Sequence, residues 1–216
     1  MSTFDLIAQD IEAYCEEHST PESELLYRLN RQTHLETLNP RMLSGQLQGL
    51  FLRFIATMMR PRYILEVGTF TGYSSICLSE GLLPDGELHT IEMNEEYEDR
   101  IRDYFAQADR RDQLHLHMGD ARELIDRLDY RWDLVFLDAD KEDYTIYYEA
   151  LLPKVRQGGF ILADNTLWNG KVVHTIAHND KDTQAITDFN RQVQEDPRVR
   201  NLLLPFRDGI MMIEKL

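Results

Sequence analysis

Tyr63-Ile64-Leu65-Glu66-Val67-Gly68-Thr69-Phe70-Thr71-Gly72-Tyr73-Ser74 is the stretch that decides the fold. A short apolar run, residues 63–67, reads as a strand, and a helical pattern follows over 72–80. The glycines between them let the backbone turn tightly and let a ligand approach it, as at the first βα turn of a doubly wound sheet. The spacing is Gly-x-x-x-Gly. The dinucleotide fingerprint Gly-x-Gly-x-x-Gly is absent, because position 70 is Phe, a side chain that would crowd a pyrophosphate. Glu66 beside the turn adds negative charge, which suits a cationic ligand better than a phosphate. Taken alone, the motif also fits an ordinary strand–helix turn.

Downstream, strands and helices alternate. Strands are expected over 87–92, 113–118, 132–137 and 159–163, with helices over 95–108, 122–128 and 144–152. That order means a parallel sheet covered on both faces. The end differs: a helix over 182–194 precedes strands at 199–204 and 210–214, joined by a turn at 206–209. Strands joined by so short a turn must run antiparallel. Upstream the pattern is helical. Phe4, Leu6, Ile7, Ile11 and Tyr14 recur at helical spacing with Thr3 as N-cap, and Pro21 opens a second helix through Leu25, Leu26 and Leu29. A turn at 42–45 leads from Ser44 or Gly45 into a long helix through Leu47, Leu50, Phe51, Phe54 and Met58, closed by Pro61. The expected fold is α/β, a doubly wound, mostly parallel seven-stranded sheet with an antiparallel C-terminal edge hairpin. One domain spans 1–216, with a helical extension over 1–60 and the α/β core over 61–216.

The 216 residues, 43% hydrophobic and 28% charged, are those of a globular chain. That length buries about 70% of the unfolded surface without disulfides. The net charge is −15, from 23 basic and 38 acidic residues. Even the densest basic stretch, 100–111, carries acids in between, so no patch for a nucleic-acid backbone or an anionic membrane is expected. The first basic residue is Arg28, so no signal-peptide n-region is read, and no apolar run nears the ~18 residues of a membrane span. Cys15 and Cys77 exclude a disulfide framework and a cysteine zinc ribbon, and fit a reducing cytoplasm.

The chemistry-bearing residues fall at expected strand ends. Glu92 closes the second strand, where a carboxylate can accept from both hydroxyls of a ribose; by itself it reads equally as a surface acid. Asp120, in Gly119-Asp120-Ala121, stands where an adenine amine could be held and equally where an N-cap is needed. Strand four ends in Leu137-Asp138-Ala139-Asp140-Lys141 and strand five in Ala163-Asp164-Asn165, one strand–helix–strand unit later. If these strands pair, their ends lie about 5 Å apart. Asp138, Asp164 and Asn165 then offer three hard oxygens, a ligand set for Mg²⁺ or Ca²⁺ with positions left for substrate. Helix capping is the alternative use of the same residues. Beside a divalent cation the Lys141 ammonium pKa should fall, making Lys141 a candidate base; otherwise it is a surface lysine. His115 and His117 share a strand face without a third ligand near them, and His174 and His178 are spaced i, i+4; both pairs read as ordinary.

These motifs together resemble the class I S-adenosylmethionine-dependent O-methyltransferases. More closely, the chain is similar to the cation-dependent group that contains catechol O-methyltransferase, the plant caffeoyl-coenzyme A O-methyltransferases and small bacterial relatives. The likeness runs from about Met42 to Asp208-Gly209, and its specific parts are residues 66–74, 137–141 and Asp164-Asn165-Thr166-Leu167-Trp168-Asn169-Gly170. The resemblance implies that Ser44, Glu66, Gly68, Thr69, Ser74, Glu92, Asp120, Ala121 and Asp140 hold S-adenosylmethionine. It implies Asp138, Asp164 and Asn165 as ligands of a divalent cation (Mg²⁺, with Ca²⁺ or Mn²⁺ as alternatives), Lys141 with Asp138 as catalytic, and Met42, Trp168 and Asn169 on the substrate side. No acid clearly matches the second hydroxyl partner of the catechol enzyme; the candidate stretch is Asp188-Phe189-Asn190. The implied acceptor is a small vicinal-diol phenol, and the implied assembly a homodimer. A tRNA hydroxyuridine acceptor, a nucleotide-binding oxidoreductase and a non-catalytic binding protein are the competing readings.

Overall fold

The computed structural model describes residues 8–216, so Thr3, Phe4, Leu6 and Ile7 lie outside the described residues. In chain order the principal elements are α1 (Gln9–Glu17), α2 (Glu24–Glu36), α3 (Gly45–Met59), β1 (Tyr63–Val67), α4 (Tyr73–Ser79), β2 (Glu87–Glu92), α5 (Glu98–Gln107), β3 (Leu114–Met118), α6 (Ala121–Arg127), β4 (Trp132–Leu137), α7 (Tyr144–Leu151), β5 (Val155–Ala163), α8 (Lys181–Glu195), β6 (Val199–Leu204) and β7 (Ile210–Lys215). The sheet order is β3-β2-β1-β4-β5-β7-β6. The first five strands are parallel, and β7 runs antiparallel to both β5 and β6. The expected fold class is therefore the observed one, edge hairpin included.

The period-2 pattern of the strands sorts the core into two layers. Ile64, Leu134, Phe136 and Leu162 pack against α2–α5 through Leu29, Leu52, Ile76, Leu78 and Phe105. Leu65, Val67, Val135, Leu137 and Ile161 face the other way, onto Ile125 of α6, Tyr144 and Tyr148 of α7, and Ile186 and Phe189 of α8. Because β1 has β2 on one side and β4 on the other, the chain's direction of winding reverses at β1, and a crevice opens past the carboxyl ends of these strands.

Local chemistry moves several boundaries. The second helix begins at Glu24 rather than at Pro21, because Ser23 Oγ accepts from Leu26 N at 3.3 Å and caps it. Gly72 is the left-handed residue before α4 (φ 93°) rather than a helical one. The first turn of the expected 95–108 helix is a 3₁₀ turn, Glu95–Tyr97. The fifth strand starts at Val155, which pairs with Trp132; a register shift then carries the chain to Phe160 opposite Leu134.

Candidate active site

The crevice is lined by the residues that follow β1, β2, β4 and β5, roofed by the segment before α3 and the turn between β6 and β7. Gly68 makes this convergence possible. Its φ is 98°, and a Cβ there would sit 1.9 Å from the Asp138 carbonyl oxygen, so only glycine lets the turns after β1 and β4 pass.

Glu66 points into the α4 side of the sheet and is fully buried. Its Oε2 accepts from Ser75 Oγ and, at 2.6 Å, from Thr90 Oγ1. Thr90 Oγ1 is in turn 2.5 Å from Thr69 Oγ1. The other oxygen, Oε1, is buried without a partner. Burial pushes the carboxyl up to about 7 against the lowering effect of Ser74, Ser75 and Thr90. Glu66, Thr69, Ser74 and Ser44 are all buried just behind the crevice wall rather than on it.

On the wall, Glu92 is preset by the backbone. Phe70 N donates to its Oε2 at 2.7 Å and Asn94 N to its Oε1 at 2.8 Å, which fixes the carboxylate and leaves lone pairs facing the crevice. Gly119 and Ala121 line the crevice, whereas Asp120 turns to cap α6 through Arg122 N at 2.9 Å and pairs with the Arg122 guanidinium. That pairing holds the Asp120 carboxyl below its ordinary value. Asp140 lines the crevice and accepts from Glu142 N at 3.3 Å.

The carboxylates come together at the ends of β4 and β5. Leu137 pairs with Ala163, so Asp138 and Asp164 follow neighbouring positions on adjacent strands. Lys141 Nζ donates to Asp138 Oδ1 at 2.9 Å and to Tyr144 Oη at 2.8 Å. Tyr144 Oη donates on to the Asp164 carbonyl at 3.0 Å. Asp164 Oδ2 accepts from Gln48 Nε2 at 2.5 Å, and Gln48 Oε1 accepts from Arg207 Nη1 at 2.6 Å. Burial, then the Asp138 charge, pushes the Asp164 carboxyl up to about 6, with Gln48 opposing. The 8%-exposed Lys141 is pushed down by burial, but Asp138, Tyr144 and Asp164 outweigh that and hold its ammonium above the lysine range. The expected fall beside a cation is thus opposed by the protein's own groups. Asn165 follows with φ 57°.

The substrate-side candidates sit on the same crevice: exposed Met42, Asn169, and Trp168, whose indole Nε1 is buried without a partner. Asn169 N donates to Asp208 Oδ1, and burial raises the Asp208 carboxyl. The acid expected at 188–190 is not on the crevice. Asp188 pairs with Arg191 on the outside of α8, and Asn190 Nδ2 donates to the Thr166 carbonyl at 2.8 Å. Asp208 lines the crevice instead. Sequence reasoning also missed Gln48, Tyr144 and Arg207. Only Tyr144, one helical turn after Lys141, carries a local signal.

A doubly wound sheet with an acid closing β2 and a carboxylate cluster after β4 and β5 gathers its polar groups at the topological switch point, where open α/β sheets bind ligands. The family model described as O-methyltransferase matches residues 16–216, and the chain belongs to that family. It is 30% identical over 208 residues to a probable caffeoyl-CoA O-methyltransferase 2 of Dictyostelium discoideum, covering 94% of this chain and 90% of that one. It is 31% identical over 179 residues to caffeoyl-CoA O-methyltransferase 1 of Eucalyptus globulus, covering 78% and 73%. The O-methyltransferase from Bacillus cereus, solved in complex with SAH, superposes with a TM-score of 0.88 at 28% identity, covering 96% of this chain and 97% of that one.

Proposed function

We propose that this O-methyltransferase moves the methyl group of S-adenosylmethionine to a phenolic oxygen of a small vicinal diol, with a divalent cation held by Asp138, Asp164 and Asn165. The observation that carries the reading is the meeting of Asp138, Lys141 and Asp164 at two paired strand ends, on the crevice that Glu92 also lines. The donor set fits a hard cation: all oxygen, two carboxylates, with Asp164 pushed up partly by Asp138, a repulsion that a cation relieves. The cofactor fit rests on Glu92, backbone-held for a ribose diol, and on the partnerless Glu66 Oε1, which matches a ligand ammonium.

A phenol ionises near pH 10, so little phenolate forms unaided at neutral pH. The cation would supply charge that favours the ionised acceptor and competes with Lys141 for Asp138. With Asp138 given over to the cation, Lys141 would lose the partner that holds its ammonium, release that proton to solvent, and accept the phenol's proton at Nζ. Gln48 orients Asp164, and Trp168 with Met42 gives the acceptor ring an apolar wall. Holding two reactants in line in this way lowers a barrier by ~7–11 kcal/mol. Methyl transfer to catechols, caffeoyl esters and hydroxyuridine tRNA, compared side by side, tests the acceptor class. Turnover of the diols alone is expected, since a net charge of −15 disfavours RNA; turnover of tRNA alone overturns it.

Two substitutions separate donor binding from stability. Glu92→Ala removes the acceptor for the ribose hydroxyls and should weaken S-adenosylmethionine by ~1.5–3 kcal/mol; unchanged affinity in calorimetry removes Glu92 from the site. Glu66→Gln should bind the donor poorly yet melt higher than the parent at pH 8. The folded-state pKa is raised from 4.5 to about 7, so the proton's stabilising contribution is complete below about 4.5 and lost as pH rises through 7. Glutamine removes that loss. A variant that melts lower at pH 8 than at pH 5, as the parent should, contradicts this.

No helix among the described residues is long and apolar enough to cross a membrane. Both cysteines are free, which fits the cytoplasm. Exposed Tyr27, Leu35, Leu38, Phe54 and Met58 on and around α2 and α3 support a homodimer through the helical extension, which light scattering would detect.

A further inference from the structure

A second cluster of ligating side chains lies on β2 and β3, towards the end of the sheet opposite the crevice. Glu87 opens β2, and His89 two residues on stands opposite His115 of the edge strand β3. His89 Nε2 is 3.0 Å from Glu87 Oε2, and its Nδ1 is 2.9 Å from His117 Nε2. The His115 and His117 rings stack on His89, with centroids 4.8 and 5.1 Å away. Tyr130 Oη donates to Glu87 Oε2 at 3.2 Å. One ligand atom from each of Glu87, His89 and His115 lies within 4.8 Å of the others. The methyl-transfer reading uses none of these residues.

We propose that Glu87, His89 and His115 form a binding site for Zn²⁺, with water completing the tetrahedron. Two imidazoles and a carboxylate are the donor set of open zinc sites. Atoms bonded at 2.0–2.1 Å to a tetrahedral ion stand roughly 3.3 Å from one another, close to the 3.0 Å between His89 Nε2 and Glu87 Oε2. The ion takes the place of the proton in that bond, and the proton leaves to solvent. With Nε2 on the ion, His89 Nδ1–H donates to His117 Nε2, and Tyr130 Oη fixes Glu87, the outer contacts that orient a metal's ligands. The ion ties the edge strand to its neighbour.

Zinc titration against a chromophoric chelator, in excess Mg²⁺ to occupy the crevice carboxylates, tests the site. The parent should take up one Zn²⁺ per chain and gain about 5 °C in melting temperature at 100-fold excess over Kd. His115→Ala and Glu87→Gln should each lose most of that shift by weakening zinc about 100-fold or more, and His117→Ala should lose part of it by weakening zinc ~10–100-fold. Methyl transfer by His115→Ala should match the parent's, whereas Asp138→Ala should keep the zinc shift. Failure of the parent to bind zinc, or binding that survives His115→Ala and disappears in Asp138→Ala, overturns the proposal.

Discussion

Asp164→Asn is expected to turn over at least about 10³-fold more slowly than the parent at saturating donor and Mg²⁺, yet to melt no lower at pH 8. The rate loss follows from removing one of two carboxylates that face a cation from paired strand ends. The stability follows from burial. The folded Asp164 carboxyl is raised from 3.8 to about 6, so its stabilising contribution is complete below about pH 4 and gone once pH has risen through 6. At pH 8 the buried carboxylate is a burden that asparagine lifts, while the amide oxygen can still accept from Gln48 Nε2. Asn165→Ala should be milder, since water can replace a neutral oxygen. An Asp164→Asn protein that melts far below the parent would mean that the carboxylate serves the fold rather than the chemistry.

Lys141→Met should lower kcat by ~10²–10⁴ while donor affinity stays within about twofold. Lys141 is buried and hydrogen-bonds Asp138, on the proposed acceptor side of the crevice, and Tyr144 in the core behind it, whereas the proposed donor contacts lie around Glu66 and Glu92. Methionine fills the same volume, so the loss reads the proton-holding group rather than a cavity. Normal turnover at neutral pH would assign phenolate formation to the cation alone.

Much of this architecture is written locally in the chain. Near-continuous apolar runs such as Trp132–Leu137 and the glycine turn at 68–72 specify buried strands and the switch point without help from tertiary structure. The strand ends then deliver Asp138 and Asp164 to one place, because adjacent parallel strands in register must. What was illegible depends on long-range approach. Gln48 reaches Asp164 from helix α3, Arg207 reaches Gln48 from the turn after β6, and no spacing announces either meeting. Asp208 lines the crevice where residues 188–190 do not, because the turn between β6 and β7 folds over it while the middle of α8 does not. The ligating side chains beside His115 are Glu87 and His89, one strand away, and only the pairing of β2 with β3 brings them there. Asp120 satisfied its capping role, and only its neighbours Gly119 and Ala121 line the crevice.

Chelation separates a reaction carried by a cation on Asp138, Asp164 and Asn165 from one that needs no metal. Methyl transfer from S-adenosylmethionine to a catechol should be measured with the purified protein in excess EDTA and again after Mg²⁺ is restored. Turnover should be lost in chelator, with donor binding intact by calorimetry, and should recover fully when Mg²⁺ is added. Undiminished turnover in EDTA would contradict it and place this chain among methyltransferases that need no metal.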